Sequence, residues 1–172
     1  MSWCLCGEIE GGSVDRQTIL DLLQRSADDL QRYTNEIPAE RLRWHEDGEW
    51  SAHETLSHLC DVERQVYLAR MQRVAAEDRP ILQWFDEQAW HQEHYDPNRS
   101  VADMLADFSE ARRQEIALLE SHSDWSRWGL HEKLQKRYSL AFIAHSAFRH
   151  TWEHLNQIAN TQIAYELAHQ EG

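Results

Sequence analysis

The sequence predicts an all-α protein, a four-helix bundle with long crossover connections. Glycine and proline, which interrupt helices, are scarce at 6 and 3 of 172 residues, whereas Ala, Leu, Glu, Gln and Arg are abundant. Apolar residues make up 41% of the chain and recur every three or four positions in four long stretches. Two extended connections separate these stretches, which is the pattern of a bundle with crossovers.

The chain length fits one domain, which we expect to span residues 13–172 after a flexible N-terminal segment, residues 1–12. The cysteines Cys4, Cys6 and Cys60 are odd in number and lack a Cys-x-x-Cys pair, so we expect reduced thiols. Cys4 and Cys6 could bind a soft metal, although cysteines on a frayed terminus more often bind none.

The charge balance limits the partners of the protein. Thirty acidic residues against 17 basic ones give a formal charge of −13. Such a surface repels a phosphate backbone and anionic lipid, so we expect no nucleic acid and no membrane partner. The N-terminal sequence lacks a basic region followed by an apolar run, and no apolar stretch approaches ~18 residues. We therefore expect a soluble cytoplasmic protein with a small-molecule substrate.

The first predicted helix begins after Ser13 as N-cap and ends at Ile37–Pro38, and it carries no obvious chemistry. A connector over residues 38–50 follows, in which Trp44 and Trp50 are expected to hold the loop against the bundle.

The second predicted helix starts at the capping box of Ser51 and Glu54 and runs to Ala76. His58 lies at the edge of its apolar side and, considered alone, is more typical of a surface or boundary histidine. The predicted core side comprises Leu56, Leu59, Cys60, Glu63, Val66 and Tyr67.

Residues 80–97 form a connection too long for a simple link, so we expect a short helix that covers one end of the bundle. Its His91 and His94 are a rival metal pair, which we rank lower because a loop holds ligands less rigidly. Four aromatic residues either line a ligand pocket or cap the core: Trp84, Phe85, Trp90 and Tyr95.

The third predicted helix begins at Ser100 with Asp103, and a second long connection follows over residues 121–138. We assign apolar residues of this helix to the core and charged residues to the surface. The inward set is Val101, Met104, Leu105, Phe108, Ile116 and Leu119, and the set facing water is Glu110, Arg112, Arg113 and Glu115.

The fourth predicted helix runs from a Ser139 cap to about Ala168 and places two histidines on its apolar stripe. His150 and His154 are roughly 6 Å apart along the axis and about 40° around it, so both imidazoles can reach one metal ion. With 11 histidines in the chain, chance alone supplies about 0.7 such pairs. Burial favours a metal, because two buried imidazoles are hard to satisfy without a shared partner.

Two histidine motifs and a Trp-Ser helix start together resemble the DinB/YfiT-like superfamily of metalloenzymes. They are Trp50-Ser51 with Glu54, His58-Leu59 with Asp61 and Glu63, and His150-x-x-x-His154-Leu-x-Gln157-Ile158. The resemblance implies a four-helix bundle that binds a divalent metal, commonly zinc, nickel or iron, through His58, His150 and His154. Thr151 and Asn156 depart from the commoner family pattern, which weakens any transfer of a substrate.

The resemblance extends to thiol-dependent S-transferases of that superfamily, which makes metal activation of a low-molecular-weight thiol our leading hypothesis. A second hypothesis is a hydrolase that uses metal-bound water, with Glu63, Asp61, His145 or His53 as general base. A third is a metal-binding or small-ligand-binding stress protein without catalysis, and a fourth keeps the histidines as core residues. We also expect a homodimer.

Overall fold

The computed structural model describes residues 14–170, and these residues form six α-helices, one π-helical segment and three short strands. The predicted flexible segment 1–12, with Cys4 and Cys6, lies outside the described residues. The elements in chain order are α1 Arg16–Glu36, α2 Ala52–Val62, the π segment Glu63–Leu68, α3 Ala69–Ala76, β1 Ile81–Leu82, α4 Glu87–His94, α5 Val101–Ser121, β2 Trp128–His131, β3 Arg137–Ser139 and α6 Leu140–Ala168.

Four long helical elements form the bundle, which confirms the predicted fold class. They are α1, the continuous ridge of α2, π segment and α3, then α5 and α6. Both α1 and the α2–α3 ridge pack against α5 and α6, so α1 lies diagonally opposite the ridge. The crossover helix α4 contacts α2. No helix within residues 14–170 has both the length and the apolar character needed to cross a bilayer.

Side-chain caps fix most of the helix starts where the sequence predicts them. At α2 the Ser51 N–H donates to Glu54 Oε2 at 2.9 Å and the Glu54 N–H donates to Ser51 Oγ at 3.2 Å, which is a complete capping box. Ser100 and Ser139 cap α5 and α6 as predicted. The cap of α1 is Asp15 and not Ser13, which lies outside the described residues.

The second predicted helix is interrupted by a π turn over Glu63–Leu68. The extra residue in such a turn shifts the face that the following helix presents, and π turns are frequent at functional sites. Here the turn begins five residues after His58 and carries the buried Glu63 and Tyr67. Hydrophobic spacing predicts one uninterrupted helix to Ala76, because the intervals of three and four residues on the core side continue through the turn.

The two long connections contribute a small three-stranded sheet that the sequence does not predict. Strand β1 pairs in parallel with β2, and β2 pairs antiparallel with β3. A Cβ on Gly129 would lie 2.8 Å from Leu82 Cγ and 2.9 Å from the Pro80 carbonyl oxygen, so glycine permits the close approach of β1. Because β3 leads directly into α6, the sheet helps to position the helix that carries His150 and His154.

The predicted faces of α5 are wrong at Arg112 and Glu115, which are 1% and 0% exposed. Arg112 Nε donates to Glu63 Oε1 at 2.5 Å and lies 3.4 Å from Glu115 Oε2. Phe108, Arg112, Glu115 and Leu119 are spaced four, three and four, which is the spacing of a buried face. Charge misled the prediction, since buried charges are stable when they are paired.

Candidate metal centre

Three histidines from two helices meet in the core of the bundle. His58 on α2 and His150 on α6 are 4% and 8% exposed, and His154 on α6 is half-buried. The Nε2 atom of His150 lies 3.3 Å from His58 Nε2 and 3.1 Å from His154 Nε2. One nitrogen from each ring lies within 4.8 Å of the others, so this cluster can hold a metal ion. His58 is thus buried and not a surface residue.

The three imidazoles are neutral at neutral pH because charging them in the core is costly. Burial lowers the pKa of His58 from 6.5 to about 3, and electrostatic repulsion from His154 and His91 acts in the same direction. Burial, with His154 and His58 nearby, lowers the pKa of His150 to about 2. Burial also lowers the pKa of His154, against the opposing hydrogen bond to Gln157. Neutral imidazole is the form that ligates a metal.

Hydrogen bonding fixes the tautomer of His154 and leaves one ring nitrogen of His150 without a partner among the described residues. His154 Nδ1 donates to Gln157 Oε1 at 2.8 Å, so His154 Nε2 carries a lone pair directed at the cluster. His150 Nε2 faces two nitrogens but can donate only one proton, and His150 Nδ1 is buried without a hydrogen-bond partner among the described residues. Ligand atoms about 2.0–2.1 Å from one ion lie about 3.0–3.4 Å apart, which matches both nitrogen spacings. The donor set therefore fits a divalent metal.

Aromatic rings and one carboxylate surround the cluster. The Trp50 ring contacts the His58 ring edge-on at 5.1 Å, and the Tyr67 ring lies 5.5 Å from that of His150. Glu87 Oε2, at the start of α4, lies 3.7 Å from His58 Nε2. Partial burial raises the pKa of the Glu87 carboxyl, with Arg70 opposing this shift. Sequence patterns give no signal for Glu87, because the path of the crossover brings it to the site.

Comparison with protein families decides the family of this chain. The model described as the DinB superfamily matches residues 22–158. The chain belongs to the DinB superfamily.

A solved structure supports the fold of this DinB-superfamily chain. It is described as "YfiT from Bacillus subtilis is a probable metal-dependent hydrolase with an unusual four-helix bundle topology", and it aligns with a TM-score of 0.80 at 20% identity. The alignment covers 92% of each chain. A comparison with curated proteins finds no match. The predicted family and fold are therefore confirmed, while the metal ligands stay a prediction.

Two of the four predicted general bases are occupied by other partners in this DinB-superfamily bundle. His53 Nε2 donates to the Arg99 carbonyl oxygen at 2.8 Å, and His53 Nδ1 accepts from the Tyr95 hydroxyl at 2.9 Å. Glu63 is buried against Arg112. His53 would lose the Tyr95 hydrogen bond on taking a proton at Nδ1, and Glu63 is fully buried, out of reach of a substrate.

The other two predicted bases stand apart from the histidine cluster. Asp61 is half-buried on α2, where burial raises the pKa of its carboxyl. His145 is exposed on α6, with its ring 6.5 Å from that of Phe148. Neither belongs to the group of potential ligands around His58.

The rival pair, His91 and His94, lies on α4, and each ring stacks on a different tryptophan. The His91 ring stacks on Trp50 at 4.3 Å, and the His94 ring stacks on Trp90 at 3.8 Å. Within residues 14–170, neither joins a group of three potential ligands. His91 instead anchors α4 to the loop before α2.

Two surface cavities are bordered by aromatic side chains of the connections. One of about 330 Å³ is bordered by Trp44, Trp50 and Gln157, two of which contact the proposed ligands. A second of about 260 Å³ is lined partly by Trp84, Phe85 and Trp90, so three of the four predicted pocket aromatics share one cavity. Tyr95 instead packs against His53 and His91.

Proposed function

We propose that this protein is a metal-dependent enzyme in which His58, His150 and His154 hold one divalent ion, zinc or nickel, with iron as an alternative. The carrying observation is the convergence of three neutral imidazole nitrogens at 3.1 and 3.3 Å in a buried position. Three protein nitrogens leave a coordination position free, which distinguishes catalytic sites from closed structural ones.

The proposed reaction is hydrolysis of a small-molecule substrate. A divalent metal held by three imidazoles lowers the pKa of a bound water toward about 7, and it equally holds a bound thiol as thiolate. The residues of the chain supply the setting: Gln157 fixes the tautomer of His154, and Trp50 and Tyr67 exclude water from the faces of His58 and His150. The hydrolase description of the YfiT structure favours this choice.

Thiol S-transfer is the second candidate function. A thiol held as thiolate would release its proton to solvent on binding, so this function would need no protein base, and His53 and Glu63 are both occupied by other partners. The cytoplasmic location and the homodimer stay predictions.

The test is an assay of the zinc-loaded and nickel-loaded protein against ester and amide panels, and against electrophiles with cellular thiols. We expect metal-dependent hydrolysis that is lost in His150→Ala and retained in His145→Ala, a histidine exposed on the same helix. Conjugation without hydrolysis would select the S-transferase. A fully metal-loaded protein that turns over neither class would contradict both and leave a binding protein.

A further inference from the structure

The crossover helix α4 brings a carboxylate to the histidine cluster from a well-anchored position. Glu87 is the first residue of this helix, and Asp86 caps it by accepting from the Ala89 N–H at 3.0 Å. Farther along α4, His91 stacks on Trp50 at 4.3 Å. The backbone at Glu87 is therefore held by the cap and by the packing of α4.

The Glu87 carboxylate lies near the spacing that a shared metal ion requires. Its Oε2 atom is 3.7 Å from His58 Nε2, compared with 3.3 and 3.1 Å for the two nitrogen pairs. Ligands of one small divalent ion lie about 3.0–3.4 Å apart, so the spacing to His58 needs only a small change. Glu87 is not among the three side chains whose ligand atoms already lie within 4.8 Å of one another, so its carboxylate must also turn toward His150 and His154 to share the ion. The side chain of Glu87 is 45% exposed, whereas the side chain of His58 is 5% exposed. The carboxylate therefore approaches the cluster from the solvent side.

Charge gives a second reason for a carboxylate at this place. Three neutral imidazoles leave the full charge of a divalent ion uncompensated in a largely buried site. A carboxylate oxygen is a common zinc ligand beside imidazole nitrogens. Among residues 14–170, Glu87 is the acidic side chain that forms an ion-pair contact with a member of the cluster.

We propose that Glu87 is a fourth protein ligand of this metal, bound through one carboxylate oxygen, and that substrate gains access by displacing it. The inference rests on the proposed three-histidine metal site. With Glu87 as a ligand, helix α4 would cover the metal when no substrate is bound. Exchange of the carboxylate for substrate would leave His58, His150 and His154 in place.

The test measures metal binding in place of turnover, with full-length wild type, Glu87→Ala and Glu87→Gln. Zinc affinity is determined by competition with a chromophoric chelator, and the visible spectrum of the cobalt-loaded protein reports the ligand set. Glu93→Ala is the matched control, because Glu93 is an exposed carboxylate on the same helix. Circular dichroism establishes whether each variant is folded. Glu87→Gln keeps the shape of the side chain, so it remains a valid test if Glu87→Ala does not fold.

The loss of a hydrogen-bond partner outside a metal site weakens binding about 10-fold to 100-fold, and the loss of a direct ligand should weaken it at least as much. We therefore expect both Glu87 variants to bind zinc at least about 10-fold more weakly and to change the cobalt spectrum. Glu93→Ala should match wild type in both measurements. Wild-type affinity and an unchanged spectrum in folded Glu87 variants would overturn the fourth ligand while leaving the three-histidine site intact. Failure of wild type itself to bind zinc or cobalt would overturn the metal site and this inference together.

Discussion

Arg112 is buried between two carboxylates, Glu63 and Glu115, and it also donates to Thr151 Oγ1 at 2.9 Å. Thr151 directly follows His150, so this network connects the π segment, α5 and α6 beside the histidine cluster. Burial raises the pKa of Glu115 well above its usual range, and the adjacent Glu63 raises it further. Removing the arginine would leave two buried carboxyl groups without their cation.

Arg112→Met is therefore expected to lower the free energy of unfolding by about 3–5 kcal/mol, the usual cost of breaking a buried ion pair. Urea unfolding followed by circular dichroism measures this change. The control is Arg113→Met, because Arg113 pairs with Glu110 on the surface and its side chain is 69% exposed. A change within about 0.5 kcal/mol is expected for the control, and equal effects of the two substitutions would contradict the account.

Gln157 is expected to act on the metal through His154. Gln157→Leu removes the acceptor of the His154 Nδ1 proton, so the ring loses its fixed tautomer, and metal affinity should fall about 10-fold to 100-fold. Chelator competition measures the affinity. Gln157→Glu retains an acceptor and should rescue binding, while Asn156→Ala, an exposed neighbour, should change nothing. Unaltered affinity in the leucine variant would refute the role of Gln157.

At single positions, the sequence predicted the proposed metal site only in part. The periodicity of α6 places His150 and His154 on the inward stripe, because that pattern is local. The surroundings of His58 suggest a boundary position, so it is a candidate only through its level along the second helix and through the family resemblance. Glu87 was missed because it reaches His58 through the path of a connection, which local spacing does not encode.

At the scale of elements, the capping box of α2 is expected to contribute measurably to stability. Ser51→Ala removes the acceptor of the Glu54 N–H and should lower the free energy of unfolding by about 1 kcal/mol. Ser109→Ala, within α5, is the control and should change stability by less than about 0.5 kcal/mol. Identical urea midpoints for wild type and Ser51→Ala would exclude a stabilising cap.

Helix starts were predictable because Ser51, Ser100 and Ser139 act on backbone groups within three residues. The strands were not, since β1 pairs with β2 across nearly fifty residues, and such pairing depends on the assembled bundle. The π turn escaped prediction because the intervals of three and four residues on the core side continue through Glu63, Val66 and Tyr67.

At the scale of the whole molecule, buried neutral histidines should make stability depend on pH. Burial lowers the pKa of six histidines below 6.5: His53, His58, His91, His131, His150 and His154. Below pH 6.5 these histidines become protonated in the unfolded chain but stay neutral in the folded protein. Protonation therefore favours the unfolded state, and stability decreases as the pH falls. Glu115, whose pKa is raised, acts in the opposite direction.

His53→Gln isolates one such histidine outside the proposed metal site. Glutamine does not titrate, so wild type should lose stability relative to this variant below pH 6.5, by up to about 1.4 kcal/mol per pH unit. Urea unfolding of both proteins at about pH 7, 6 and 5 measures the difference. A difference that stays constant across these conditions would contradict a lowered pKa of His53.

The central claim is that His58, His150 and His154 together hold one metal ion, and elemental analysis of the purified, reconstituted protein tests it most directly. We expect about one equivalent of divalent metal in wild type and in His145→Ala, an exposed histidine of α6. His58→Ala, His150→Ala and His154→Ala should each lose the metal and keep the helical circular dichroism spectrum. A wild type without metal, or three variants that retain it, would contradict the claim.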